Sequence, residues 1–383
     1  MYICLRSQLL EVSNRCEVLL AKIVERDYPT DIQFHLDSVK GEVNSLQENL
    51  NQLIRDPDLD EPQLLRNYLA SFKRCYEDYL RFEREHFLVL SRYNDQDAFL
   101  HHLLKAALSD TNYSQAPPLI SATSSQYYDI ALHSTPQLST IFAPVCTCYF
   151  LLQVPDLFHE LGHLIYHQNE ELFIARFRDQ LEEYVRRETV RAKEEELPVF
   201  ETLFKSIGER WQRAWMIEHA ANMIATWLVG PSFGWLHLHN CISGRDDIYA
   251  PCKYDEDWDH PSNESQMAGI LTILRLQGLE NDAKAIERTW SHYKGAFGAQ
   301  IPPEEHRITY PLDLIVVLAE NVKDGAMTMN LRPYIQQSEH TNIPTLLNEA
   351  WRQFHEEPDQ FCSWEEKALE QLRSTMGIAK LNY

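Results

Sequence analysis

Over the first hundred residues the apolar side chains recur every three or four positions. That spacing selects the α-helix, which returns a side chain to the same face every 3.6 residues. Leu9, Leu10, Val12, Cys16, Leu19, Leu20 and Ile23 form one stripe, and Val39, Val43, Leu46, Leu50 and Leu53 a second. Leu64, Leu65, Tyr68, Leu69, Phe72, Tyr76 and Leu80 open a third, which runs on toward Tyr93. Pro29 and the Asp56-Pro57 step separate the stripes, since proline lacks the N–H that a helix interior uses. The pattern predicts a bundle of long antiparallel helices. With only 12 glycines in 383 residues, the chain lacks the closely spaced turns of an all-β sandwich or barrel.

Residues 109–127 are polar, carry the Pro117-Pro118 pair and interrupt the helical period. They divide the chain into a long-helix arm, residues 1–115, and a second region, residues 116–383. Two short β-like runs follow, Tyr127–His133 and Leu138–Ala143, with Ser134-Thr135-Pro136 between them; a small hairpin is expected. From Pro155 the period is helical again, and the charged stretch 170–197 suits a solvated helix. A further helix spans about Ile207 to Leu228 and stops at Gly230-Pro231. A loop-rich acidic section is expected from Phe233 to Glu264, and helices from Met267 onward. The fold class is therefore mainly α: a helical bundle or coiled-coil arm followed by an α+β region with a small hairpin or sheet.

Thirty-five Lys and Arg against 57 Asp and Glu give a net charge of −22, which repels phosphate backbones and argues against nucleic acid as a partner. The hydrophobic share of 44% is enough for a core. The most apolar run, Ile141 to Pro155, is too short to span a bilayer, so no membrane association is expected. The N-terminal residues lack a signal-peptide pattern. Eight cysteines are scattered without disulfide-framework spacing, as expected for reduced thiols in the cytoplasm.

Residues 159–163 read His-Glu-Leu-Gly-His. On a helix, positions i and i+4 share a face, so His159 and His163 can reach one ion, and Glu160 can take a proton from water beside it. Pro155 and Asp156 suit the first turn of that helix. A catalytic zinc takes three protein ligands, so a third must come from elsewhere. His167 fails, because a helix rises about 12 Å between positions 159 and 167. Glu218 is the better candidate. It lies i, i+4 from Asn222 on a helix with small residues Ala214, Ala220, Ala221 and Ala225, which would let a second helix approach closely. Asn222 is expected to accept a hydrogen bond from a ligand imidazole. The Cys146/Cys148 pair and the His237, His239, Cys241 and Cys252 group match no common zinc module.

With these two motifs in this order, the sequence resembles the gluzincin class of zinc metallopeptidases, which pair H-E-x-x-H with a downstream helical Glu, usually as Glu-x-x-x-Asp. The match covers 155–167 and 214–231, and Asn222 stands where the class has Asp. The resemblance implies a zincin-like domain in the second region, Zn²⁺ held by His159, His163 and Glu218, and Glu160 as general base of peptide-bond hydrolysis.

Such hydrolysis also needs a donor for the oxyanion. His260, just before the helix start Pro261-Ser262-Asn263-Glu264, leads as candidate; Tyr249, Tyr254 and Tyr310 are alternatives. One of the two β-like runs is expected to offer an edge for an extended peptide. Asp246, Asp247, Asp255, Glu256, Asp257, Asp259 and Glu264 surround His260 in sequence. If they line the cleft, they favour a protein or peptide substrate with a basic segment. An activating or regulatory protein partner bound through the helical arm is a further expectation. The competing reading is a helical scaffold or regulator whose metal site is structural or inactive, and the intact Glu160 argues against it.

Overall fold

The computed structural model describes residues 2–56, 63–113, 117–123, 128–132, 138–196, 198–243, 247–253, 259–336 and 342–376. It is mainly helical, with one small three-stranded sheet and a two-stranded ribbon. In the arm, α1 (Tyr2–Val24), α2 (Gln33–Arg55) and α3 (Leu65–Arg81) pack on one another. A wide π-type turn, Phe82–Phe87, carries α3 into α4 (Leu88–Arg92). Leu9, Val12, Cys16 and Ile23 meet Val39, Val43, Leu46 and Leu50 in one apolar cluster, as the first two stripes predict. The third helix departs from its stripe. Cys75, Tyr79 and Phe82 are buried while Leu69 and Leu80 are exposed. Turning the helix by one position, about 100°, brings in the two rings, which bury more apolar area than leucine.

α5 (Asp95–Asp110) starts at a reciprocal cap. Asn94 Oδ1 accepts the N–H groups of Gln96 and Asp97, and Asp97 Oδ2 accepts the N–H of Asn94. Asp97 Oδ1 also accepts the Ala122 N–H of β1 (Leu119–Thr123), which ties that strand to the helix. Although α5 falls within the 1–115 arm by sequence, its Phe99, Leu100, Leu103 and Leu104 belong to the second, larger apolar cluster. Leu119 and Leu138 in turn join the arm's cluster.

β2 (Asp129–Ala131) and β3 (Thr140–Pro144) form the expected antiparallel pair, with Ile130 opposite Ile141. β1 pairs parallel with β3, Ile120 also opposite Ile141, so the order is β1-β3-β2. The boundary segment read as polar therefore contributes a strand. Its Leu119-Ile120 pair is buried between the arm and the larger core, a signal too short to read locally. β3 is central and not an edge.

Two 3-10 turns, Val145–Tyr149 and Leu151–Gln153, lead into α6 (Pro155–Gln168). α7 (Glu170–Glu194) buries Phe173, Ile174, Phe177, Leu181 and Tyr184 and turns its charges outward. α8 (Pro198–Arg210), a π-type turn at Trp211–Trp215 and α9 (Met216–Val229) run on without a break. All of α9 except Ile217 is buried. Gly230, at φ 65°, ends it, and Pro231 opens α10 (Pro231–Ser243). Residues 233–243 of the section expected as loop are thus helical. The glycine that stops one helix stands directly before a proline that suits the first turn of the next.

β4 (Cys252–Lys253) and β5 (Asp259–His260) pair antiparallel ahead of α11 (Asn263–Leu276). α12 (Glu280–Ala296), α13 (Glu304–Thr309), α14 (Leu312–Thr328), α15 (Ile343–Glu356) and α16 (Pro358–Thr375) complete the described chain. α9 runs through the middle of the larger core, packed by α6, α10, α11, α14 and α15. No described helix is long and apolar enough to cross a membrane.

Candidate metal centre

The centre exists because α6 and α9 approach at backbone distance. A Cβ on Gly162 would lie 2.6 Å from the Ala221 carbonyl oxygen and 2.9 Å from its Cα, so only glycine opposite a small residue permits the contact. The alanines of α9 signal a close partner, and the glycine inside the histidine motif is their counterpart on α6. With the backbones this close, His159 and His163 on α6 face Glu218 on α9.

His159 Nε2 lies 3.1 Å from His163 Nε2 and 3.4 Å from Glu218 Oε2, and His163 Nε2 lies 3.5 Å from Glu218 Oε1. A tetrahedral divalent ion with bonds of about 2.0–2.1 Å separates its ligands by about 3.3 Å. The three donors therefore stand at the spacing of one face of such a coordination shell, with Glu218 reaching the imidazoles through different oxygens. They form a group that can hold a metal ion. With both imidazoles deprotonated, their lone pairs and the carboxylate repel unless a proton or a metal ion lies between them. The far nitrogen of His159, Nδ1, is buried with no hydrogen-bond partner among the described residues.

The electrostatics describe the same shortage of positive charge. Burial opposes a charge on His159, but its hydrogen bond to Glu218 and the Glu160 and Asp156 carboxylates outweigh this and raise its pKa to about 9. Burial pushes His163 down to about 4, with Glu218 pulling the other way. Glu218 resists burial's upward push, because His163, His159 and His260 hold it well below the usual carboxylate range. Burial raises Glu160 to about 8 against the attraction of His159; Glu218, Asp156 and Asp129 add repulsion.

His260 enters the same site. Its Nδ1 lies 3.2 Å from Glu218 Oε2, so the leading oxyanion candidate sits against the third ligand candidate. The Asn222 amide Nδ2 donates to Gln266 Oε1 at 2.9 Å, a contact that leaves its Oδ1, the atom expected to accept from an imidazole, unengaged among the described residues. Gln266, on the neighbouring α11, was not anticipated; a glutamine four residues into a helix carries no local signal.

The Tyr249 hydroxyl donates to the Ala299 carbonyl, Tyr310 is buried against Trp215, and Tyr254 lies outside the described residues. So do Asp246, Asp255, Glu256 and Asp257. Of the remaining acidic residues, Asp259 lies in β5, and Asp247 accepts the N–H groups of Tyr249 and Ala250. Glu264 is held by Trp290 and Lys294 of α12. Glu264 is thus tied to α12, while Asp247 is exposed and also lines the cleft beyond Trp215. His167 is exposed. Among the described residues no second group of three potential ligands is assembled; Cys241 Sγ sits 3.7 Å from His237 Nε2, and His239 packs on Trp351. A cleft of about 470 Å³ lies beyond Trp215, lined also by Ile207, Tyr249, His306 and Tyr310, with none of the three donors in its wall. Comparison of the chain with protein-family models, with curated proteins and with solved structures gives no match in any of the three.

Proposed function

We propose that this chain is a zinc-dependent endopeptidase of gluzincin type, with a zincin-like domain in its second region. The mutual spacing of the His159, His163 and Glu218 donors at 3.1–3.5 Å carries the reading. His159, His163 and Glu218 hold the ion. Two neutral imidazoles and a carboxylate are a familiar donor set for catalytic zinc. When bound, zinc supplies a Lewis acid that polarises a scissile carbonyl and acidifies water. Glu160 takes a proton from water and returns it to the leaving amine. Its burial and its place next to His159 on α6 set it beside the donors for both transfers. His260 donates to the oxyanion. The edge strand β2, against which α6 packs, offers main-chain groups to an extended peptide.

The site of action is the cytoplasm, in keeping with the free thiols of the described cysteines. Control by a protein bound through the arm belongs to the same reading. The arm's outward face presents Leu10, Val18 and Phe34.

The test measures bound zinc, then compares wild type with Glu160→Gln by sequencing new protein N-termini in cells. One zinc per chain and N-termini that disappear in the variant are expected. Wild-type protein without zinc, its ligands intact, sinks the metallopeptidase reading. Zinc without Glu160-dependent cleavage favours the scaffold.

A further inference from the structure

Four side chains and one backbone carbonyl form a closed ring between α9 and the segment that carries His260. Glu218 meets the His260 side chain, Nδ1 to Oε2 at 3.2 Å. One turn along the same face of α9, Asn222 Nδ2 donates to Gln266 Oε1 at 2.9 Å. Gln266 Nε2 donates at 2.7 Å to the carbonyl of Pro261, the residue after His260. Asn222 and Gln266 are both buried, at 3% and 8% exposure. Buried amides with matched partners hold a fixed geometry, because any displacement leaves a polar group without water or partner.

The direction of this relay is dictated. The Pro261 carbonyl can only accept, so Gln266 must turn its NH₂ toward it and its oxygen toward Asn222. Asn222 must then donate. An ionised aspartate at position 222 cannot. The ring therefore supplies a reason for the amide at the position where the gluzincin pattern has a carboxylate.

We propose that Asn222 and Gln266 are positioning residues for His260. By gripping the backbone one residue beyond it, they hold its imidazole against Glu218. The inference rests on the peptidase reading for His260's role in the reaction, but the placement of the ring is tested without it.

The experiment compares wild type with Asn222→Asp and with Gln266→Met, whose near-isosteric side chain lacks the amide's donor and its acceptor. Three quantities are read: zinc affinity by chelator competition, order of the His260 ring by relaxation of ¹³C-labelled histidine, and Glu160-dependent cleavage rate. The proposal expects zinc affinity within about twofold of wild type, a visibly more mobile His260 ring, and cleavage slowed about tenfold, the scale of losses when a residue orienting a site is removed. Neither variant should slow cleavage further in a His260→Ala background. Zinc affinity lowered about tenfold or more would return Asn222 to service of the ligand imidazoles and overturn the proposal. So would an unchanged His260 ring in both variants, or losses that add to that of His260→Ala. If wild type itself shows no Glu160-dependent cleavage, the peptidase reading fails, and the ring relaxation still decides whether Asn222 and Gln266 hold His260.

Discussion

Gly162 and Asn222 show how much at this site depends on atoms that carry no chemistry of their own. Gly162→Ala drives a methyl into the Ala221 backbone. Because backbone cannot rotate aside, α6 and α9 must part. The expected result is a stability loss of about 1–3 kcal/mol by thermal melting and zinc binding weakened about tenfold by chelator competition. A variant that binds zinc like wild type would show that this contact does not set the ligand spacing. Gly41, inside α2 with open space where a Cβ would stand, is the contrast: Gly41→Ala should gain about 0.5–1 kcal/mol. His306 makes a prediction in pH. Burial lowers its pKa to about 4, Lys294 adding to the effect and Glu264 and Asp247 opposing it; its Nε2 meets the Ser262 hydroxyl at 2.9 Å. The folded state binds this proton less readily than the unfolded chain. Its stabilising contribution is thus complete above the ordinary histidine range and is lost as pH falls through about 4. Urea titrations of wild type and His306→Gln should therefore converge on acidification, by at most about 1.4 kcal/mol per pH unit. A constant difference between pH 7 and pH 4 would mean that folding leaves this ring's affinity for a proton unchanged.

Elements were legible where their signal was internal. The apolar stripes of α1 and α2, the helix of the histidine motif and the β2–β3 hairpin all follow from spacing within a few residues, and each is present. α10 was hidden because Gly230-Pro231 reads as an end, although the same pair also begins a helix. β1 was hidden because its stabilising partners, β3 and Asp97, lie some twenty residues to either side. Asp97 has a testable place here. It closes the α5 cap, and it satisfies a backbone N–H of β1. Asp97→Ala should cost about 2 kcal/mol in denaturant titrations, with hydrogen exchange accelerated in β1 as well as in the first turn of α5. Acceleration confined to α5 would separate the strand from the cap. Burial raises the Asp97 carboxyl to about 6, against the pull of its two backbone donors. Its ionised form is thus disfavoured by folding, and this residue's contribution declines as pH rises from the ordinary carboxylate range through about 6.

Across the whole molecule, two apolar clusters exchange partners between Tyr93 and Leu138: α5 serves the larger core, while Leu119 and Leu138 reach back to the arm. α9, buried on all sides but one residue, lies deepest. Its amides should exchange with solvent only at the rate of global unfolding, while those of the arm helices exchange through smaller openings. Faster exchange in α9 than in α2 would contradict that ordering. The same arrangement explains the reach of a sequence reading. Helical period, the i, i+4 histidines and the small residues of α9 are local properties, because a helix places its side chains by its own geometry. From them the sequence alone determined a mainly helical chain and named three donors, His159, His163 and Glu218. That Glu218 faces the histidines, that His260 joins them, and that Asn222 donates to Gln266 were decided only by tertiary structure. Each depends on the distance and rotation between elements far apart in the chain, set by the fit of one packed face against another.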